Sequence, residues 1–584
     1  MRNSKYILII ALFSTSYLKA QTVDQNLTVE REYKPTIQDA GKITSIPEII
    51  ELNIENKPAK YTDFNLPLSV GQNIYNLSPA ELEREKRRIS NGAFIRLGVG
   101  NYMNTVADFA LPIINKPKTK LDLKLNHTGT FDSEKTRSYT STALMFDQYL
   151  KSLDIYAGMG LSHEYFKFYG KSYDKNGLVI NIDTLAQNFG ASMYEEKNFV
   201  RVNRTANKMS LNEISNIPDN DVFWRYNAYV GIRSLPNELK NKYLGEFEYK
   251  TFDSRIGLTE NIFHTKFDFN KLLEKNRVGI HVNLQNMIYK SDLANAVINA
   301  WDSYAVFDIN PYYSIERTNF DVRLGIKSSF SFMHGRPFNP SPDIHAEWKI
   351  APKVISIYGG IGGAYNVNTL DLMFTENRYL FSDLRVKDTY TPVSAYFGFK
   401  LKPIYNLLLD AYVNYQYMDN QYFFINKDFA SVTAPNDSII YTNRFNAIYS
   451  RASLVKVGAR VNYNIRNRLN VELKGAYNGW KVFDTELAWN KPKYEADLTA
   501  DLRLNRNLVL TTNVFFESER FAKFGNVSER MSPKIDVNIG ASYSYLNWLT
   551  FYAKANNLLN KKYQNFYGYE VQGLNVLVGA SVSF

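Results

Sequence analysis

From Gly92 to the C-terminus, apolar and polar residues alternate in one segment after another. Leu121, Leu123 and Leu125 alternate with Asp122, Lys124 and Asn126, and Val278, Ile280, Val282 and Leu284 with Gly279, His281, Asn283 and Gln285. The same rhythm runs through Val455–Tyr463 and Tyr494–Arg503. A period of two places alternate side chains on opposite faces of a β-strand, so each segment has one apolar and one polar face. A soluble antiparallel sheet shares this pattern with a membrane barrel. Two features favour the membrane. In these segments charges of both signs keep to the polar face, and a Lys or Arg facing lipid at the midplane would cost about 2–4 kcal/mol. The runs also reach about ten residues, which suits a tilted membrane crossing, whereas soluble strands are usually nearer about five or six.

Short polar connections punctuate the alternation. They fall at Lys116-Pro117-Lys118, Lys151-Ser152, Leu235-Pro236-Asn237, Glu274-Lys275-Asn276 and Arg317-Thr318-Asn319. Five more follow at Ala351-Pro352-Lys353, Pro403-Ile404-Tyr405-Asn406, Arg466-Asn467-Arg468, Asn505-Arg506-Asn507 and Asn547-Trp548. Ten such turns separate eleven hairpins, which predicts about 22 strands with short periplasmic turns and longer extracellular loops. Long loops are expected over 171–221, 366–387 and 428–444. The predicted fold is all-β: a transmembrane antiparallel β-barrel over 92–584, preceded by a short N-terminal periplasmic segment.

The first ninety residues read differently. Arg2 and Lys5 precede an apolar stretch from Tyr6 to Phe13, and small and polar residues lead to Lys19-Ala20-Gln21. That pattern predicts a signal peptide over 1–20, because the apolar run is far short of the roughly 20 residues of a spanning helix. Residues 21–91 alternate weakly and are interrupted by Pro35, Pro47, Pro58, Pro67 and Pro79. One short helix is expected there, with Ser78 as cap, Pro79 in the first turn and Glu81 completing a capping box. Both chain ends then lie in the periplasm of a Gram-negative cell after cleavage.

Composition narrows the chemistry. Mean hydropathy is −0.33, as expected where a polar inner face balances a lipid-facing one. Tyr (42) and Phe (37) are abundant, which suits strands and interfacial aromatic girdles. The absence of cysteine removes disulfide frameworks, thiolate metal sites and a lipidated N-terminal Cys. The net charge of +11 is spread along the chain without a basic helical stripe, so it is assigned to solvated loops and lumen rather than to nucleic acid. The six histidines show no metal-ligand spacing, and Ser162-His163 lacks the glycines of a nucleophile elbow. No catalytic residue, metal site or cofactor is nominated, and the chain is not expected to be an enzyme.

The C-terminal region carries a more specific signal. Asn557-Leu558-Leu559-Asn560-Lys561-Lys562-Tyr563 is followed by Gly568-Tyr569, Gly573-Leu574 and a last strand ending Val582-Ser583-Phe584. This resembles the final hairpin of TonB-dependent receptors. The alternation of Val578, Ala580, Val582 and Phe584 resembles the signal read by the barrel-assembly machinery. Residues 21–91 are too few for the plug domain of that family, so the resemblance is to plugless, TonB-receptor-like barrels of the Bacteroidota. It implies an outer-membrane location, contact with outer-membrane lipid, and passage or uptake of a solute. The alternative is a non-transporting scaffold for periplasmic or surface envelope proteins.

The candidate lumen-facing residues are Asp122, Lys124, Asp154, Arg323, Lys327, Lys456, Arg460, Glu472, Lys474, Asp497 and Arg503. They line a polar path, or they neutralise one another within the wall; the even mixture of signs favours pairing for most. A 22-strand lumen is too wide for side chains alone to fill. The N-terminal segment, an inward-folded loop or a partner must block it, or the pore leaks.

Overall fold

The computed structural model describes residues 92–174, 179–180, 218–235, 241–291, 303–381, 384, 386–430, 439–466, 468–524 and 527–584. All belong to the unit Pro67–Phe584. The expected signal peptide and the helix expected after Ser78 lie outside the described residues.

One 24-stranded sheet holds nearly all the strands. Two of its members, Ser172–Asp174 and Val179–Ile180, are short additions at a loop, and the other 22 form a closed antiparallel ring. Each ring strand pairs with its neighbours in sequence. The first, Phe94–Gly100, closes on the last, Asn575–Ser583, with Phe94 opposite Ser583 and Val99 opposite Val578. Phe584 adds one bond beyond the strand, its N–H donating to Ala93 O at 3.0 Å. A closed ring leaves no unpaired edge, the condition for placing strands in lipid.

The ten short connections fall where the sequence puts them, for example between Asn104–Asn115 and Thr119–Thr130, and between Lys534–Leu546 and Leu549–Asn556. The strand expected at Tyr494–Arg503 has those bounds. One expected loop is corrected. At 428–430 and 439–444 the strands continue, as Leu407–Ala430 and Ile439–Ile465, with Phe429 paired to Ile440, and 431–438 lie outside the described residues. Residues Asp428-Phe429-Ala430 and Ile439-Ile440-Tyr441 have enough β-formers to carry the ladder past the membrane zone.

The two faces of the sheet differ as alternation requires. Leu97, Val99, Met159, Val230, Phe267, Ile326, Val457 and Val578 are exposed on one face. The other face carries the charges and a set of glycine–tyrosine contacts. Gly158 lies opposite Tyr229 and Tyr156 opposite Gly231. A Cβ on Gly158 would stand 2.5 Å from the Tyr229 ring, and one on Gly231 2.4 Å from Tyr156. The glycines thus make room for cross-strand aromatic rings.

Candidate functional site

Most of the charged residues singled out in the sequence are held by neighbours one or two strands away. Asp154, almost fully buried, receives Arg233 at 2.7 Å, and Arg323 meets Asp343 at 3.0 Å. Lys456 pairs with Glu495 at 2.7 Å. Glu472 collects both Arg460, at 3.3 Å, and Lys474, at 3.1 Å. Lys327 donates to Gly363 O at 3.2 Å, and Asp497 accepts from Asn513 at 3.1 Å and Thr499 at 3.2 Å. Asp122, Lys124 and Arg503 are half-buried in the strand halves nearer the short turns. These residues form several separate pairs along the wall and are not gathered into one pocket.

The structure gathers side chains elsewhere, at the long-loop end. The connection between the thirteenth strand, Ile355–Asn366, and the fourteenth, Thr389–Ile404, holds the helix Leu370–Glu376. Thr369 caps the helix by accepting from Leu372 N at 3.1 Å. Its other early N–H groups find an acceptor across the barrel: Glu260 takes bonds from Leu370 N (2.8 Å) and Asp371 N (3.2 Å). Leu370, Met373 and Phe374, spaced i, i+3 and i+4, are buried against Phe223, Phe252 and Leu258.

Ion pairs frame this apolar contact. Glu164, on the fifth strand Leu153–Lys167, is met by Arg137 (3.1 Å), Arg225 (3.1 Å) and Arg378 (2.5 Å). Arg225 also holds Asp371 at 2.5 Å. On the opposite side, Glu376 accepts from Lys491 at 2.9 Å and Tyr422 at 2.5 Å. Beyond the helix, Phe381 N donates to Phe445 O (2.8 Å) and Phe445 N to Tyr379 O (2.9 Å). The Tyr379 ring stacks on Tyr569 at 3.6 Å, and burial pushes both phenols up. The connection ends at Asp388, which accepts from Tyr304 (2.9 Å), Tyr365 (3.0 Å) and Asn368 N (3.0 Å). Burial raises the Asp388 carboxyl above its usual range against those bonds.

The ring order shows what this connection does. Its partners include the fifth, sixth and eighth strands on one side and the fifteenth and sixteenth on the other. In a ring of 22, the fifth and sixteenth stand opposite each other. The chain just past the fifth strand also meets the sixteenth directly: Asn443 donates to Phe168 O (3.0 Å) and Gly170 O (3.2 Å). The connection is therefore a cap over the long-loop mouth, latched to both walls. The sequence pattern placed a loop here but no helix; Thr369 followed by Asp371 and the Leu370/Met373/Phe374 spacing was the available signal. Glu164, Glu260, Glu376 and Asp388 carried no sequence signal, because each has a partner far away in the chain: Arg378, Leu370 N, Lys491 and Tyr304 respectively.

No protein-family model matches the chain, and no curated protein matches its sequence. Solved structures do. The chain is similar to the siderophore receptor PirA from Acinetobacter baumannii, with a TM-score of 0.60 and 10% identity over 84% of this chain and 80% of that one. The ferric-catecholate import receptor Fiu from E. coli gives 0.58 and 11%, over 85% and 82%. The ferripyoverdine receptor of the outer membrane of Pseudomonas aeruginosa gives 0.58 and 10%, over 84% and 72%. At this identity the likeness is one of fold: the chain folds as the 22-strand barrel of outer-membrane receptors.

Proposed function

We propose that this protein is an outer-membrane barrel for solute passage or uptake, related to TonB-dependent receptors and lacking their full plug, with the 366–389 connection as its closure. The observation that carries this is the cap itself, a loop anchored to opposite walls of a barrel most of whose singled-out inner charges are held by neighbours. A wall with satisfied charges is a scaffold around a path, and a folded-in loop at its mouth is a barrier that can be withdrawn. The receptors of like fold are named for siderophores and ferric catecholates, which makes a bulky anionic solute of that class the first substrate to try. The signal peptide over 1–20, the absence of a full plug in 21–91, the Bacteroidota type and recognition of the C-terminal strand by the assembly machinery belong to the same proposal.

The test is single-channel conductance in planar bilayers, comparing the full protein with a variant in which 370–384 is replaced by a short Gly-Ser linker. The full protein is expected to be silent or nearly so, and the shortened one to conduct. A correctly folded variant that stays silent, and copurifies with stoichiometric envelope proteins, would favour the scaffold alternative instead.

A further inference from the structure

The charges at the short-turn rim differ from those of the wall. Nine cations occupy the described turn residues: Lys116, Lys118, Lys151, Lys275, Arg317, Lys353, Arg466, Arg468 and Arg506. Glu274 is the single carboxylate among them. The excess of eight compares with +11 for all 584 residues. Apart from Arg317, which is half-buried and donates to Lys275 O and Asn276 Oδ1, these cations are exposed. Among the described residues none of the nine is in an ion pair. The long-loop end, by contrast, mixes both signs and pairs many of them, as with Arg451–Asp484 and Lys491–Glu376.

At the rim and just above it sit large exposed side chains: Tyr405 (82%) and Trp548 (50%) in the turns, and Trp348 (60%) and Tyr545 (61%) on the apolar face of the adjoining strands. Trp and Tyr at such a level mark a membrane–water interface. The cations therefore stand at headgroup depth and just beyond it, where a basic residue gains from an anionic leaflet surface. Their distribution chooses the partner. They come from turns spread around the ring, beginning with Lys116 between the second and third strands and ending with Arg506 between the eighteenth and nineteenth. A single acidic protein would contact one arc, whereas lipid surrounds the whole circumference.

We infer that the short-turn rim is a collar for anionic phospholipid, binding the phosphate-bearing headgroups of the leaflet it faces through its unpaired Lys and Arg side chains. Neither the solute nor the cap enters this inference, so it stands or falls apart from the proposed function.

The test is native mass spectrometry of the full protein in detergent, with phosphatidylglycerol and phosphatidylcholine as competing probes. The wild type is expected to retain phosphatidylglycerol at least about tenfold over phosphatidylcholine, with the preference shrinking as salt screens the rim. A variant with Lys116, Lys118, Lys151, Lys353, Arg466, Arg468 and Arg506 changed to Gln should fall to about twofold or less. A control variant at the other end, with Lys481, Lys493, Lys523 and Arg530 changed to Gln, should keep the wild-type preference, and a rim variant limited to Lys116, Lys353, Arg466 and Arg506 matches it in number. Heat-modifiable gel migration confirms that each barrel is folded, and the salt series on the wild type stands alone if the rim variant does not fold. No lipid preference in the wild type, or a preference that survives rim neutralisation, overturns the collar. So would rim-dependent capture of an acidic protein without any lipid preference.

Discussion

Removing one ring from the cap tests whether it is a latched element. Phe374 is 3% exposed, with its ring 5.2 Å from Phe223 and 5.4 Å from Phe252. Truncating a buried Phe to Ala costs about 3–5 kcal/mol. The 22-strand ring does not depend on this contact, so the loss should appear as local opening of the cap and not as unfolding of the barrel. At about 1.4 kcal/mol per factor of ten, the open-to-closed ratio should rise by about a hundredfold to a few thousandfold. Leu372, on the same helix but 48% exposed, supplies the control, with an expected change within about 0.5 kcal/mol.

The assay is amide hydrogen exchange over Leu370–Glu376 in detergent-solubilised protein, where the exchange rate follows the opening equilibrium. Phe374→Ala should speed exchange there by the factor just given and leave the strand amides of Tyr494–Arg503 unchanged. Brief conductance events in planar bilayers should accompany it. Exchange within about threefold of wild type, in a barrel that still shows heat-modifiable migration, would refute the latch. It would mean that the ion pairs of Glu164 and Glu376 alone hold the loop, or that its packing is inconsequential.

Three further outcomes follow from the same geometry. Asp388 has its carboxyl raised by burial, so the stability it contributes is fully present below its unfolded value of about 3.9 and is lost as pH rises through the folded one; the protection of the cap amides, taken relative to intrinsic exchange at each pH, should be greater at pH 4 than at pH 7, and Asp388→Asn should shrink that difference. Gly158→Leu places a side chain where the Tyr229 ring lies, which should cost about 1–3 kcal/mol as overpacking and lower the urea midpoint of folding into vesicles, while Gly475→Ala, with backbone only at 3.8 Å, should not. Deleting Phe584 removes an exposed ring and one closing hydrogen bond, about 1 kcal/mol; if the C-terminal strand is read during assembly, the amount of barrel in the outer membrane should drop several-fold while thermal stability barely changes.

What could be read in the sequence divides along a physical line. Strand number, turn positions and the faces of the strands depend on neighbours in sequence, and the alternation through Leu121–Asn126 or Tyr494–Arg503 carries them directly. Cross-strand pairs one strand away, such as Arg460 with Glu472, are half legible, because register follows once the turn at 466–468 is placed. The cap belongs to the other kind. Glu260 satisfies amides 110 residues away, and Glu164 meets an arginine 214 residues away. Such contacts exist only after the ring has closed and brought opposite strands to one mouth, and no local period reports ring closure. The same holds for the rim. Lys116, Lys353 and Arg506 look like scattered loop charge in the chain and become one unpaired band when the turns are gathered at one end. In a barrel, then, alternation specifies the wall, whereas the features with something to close or to bind arise from which turns and loops the closed ring sets side by side.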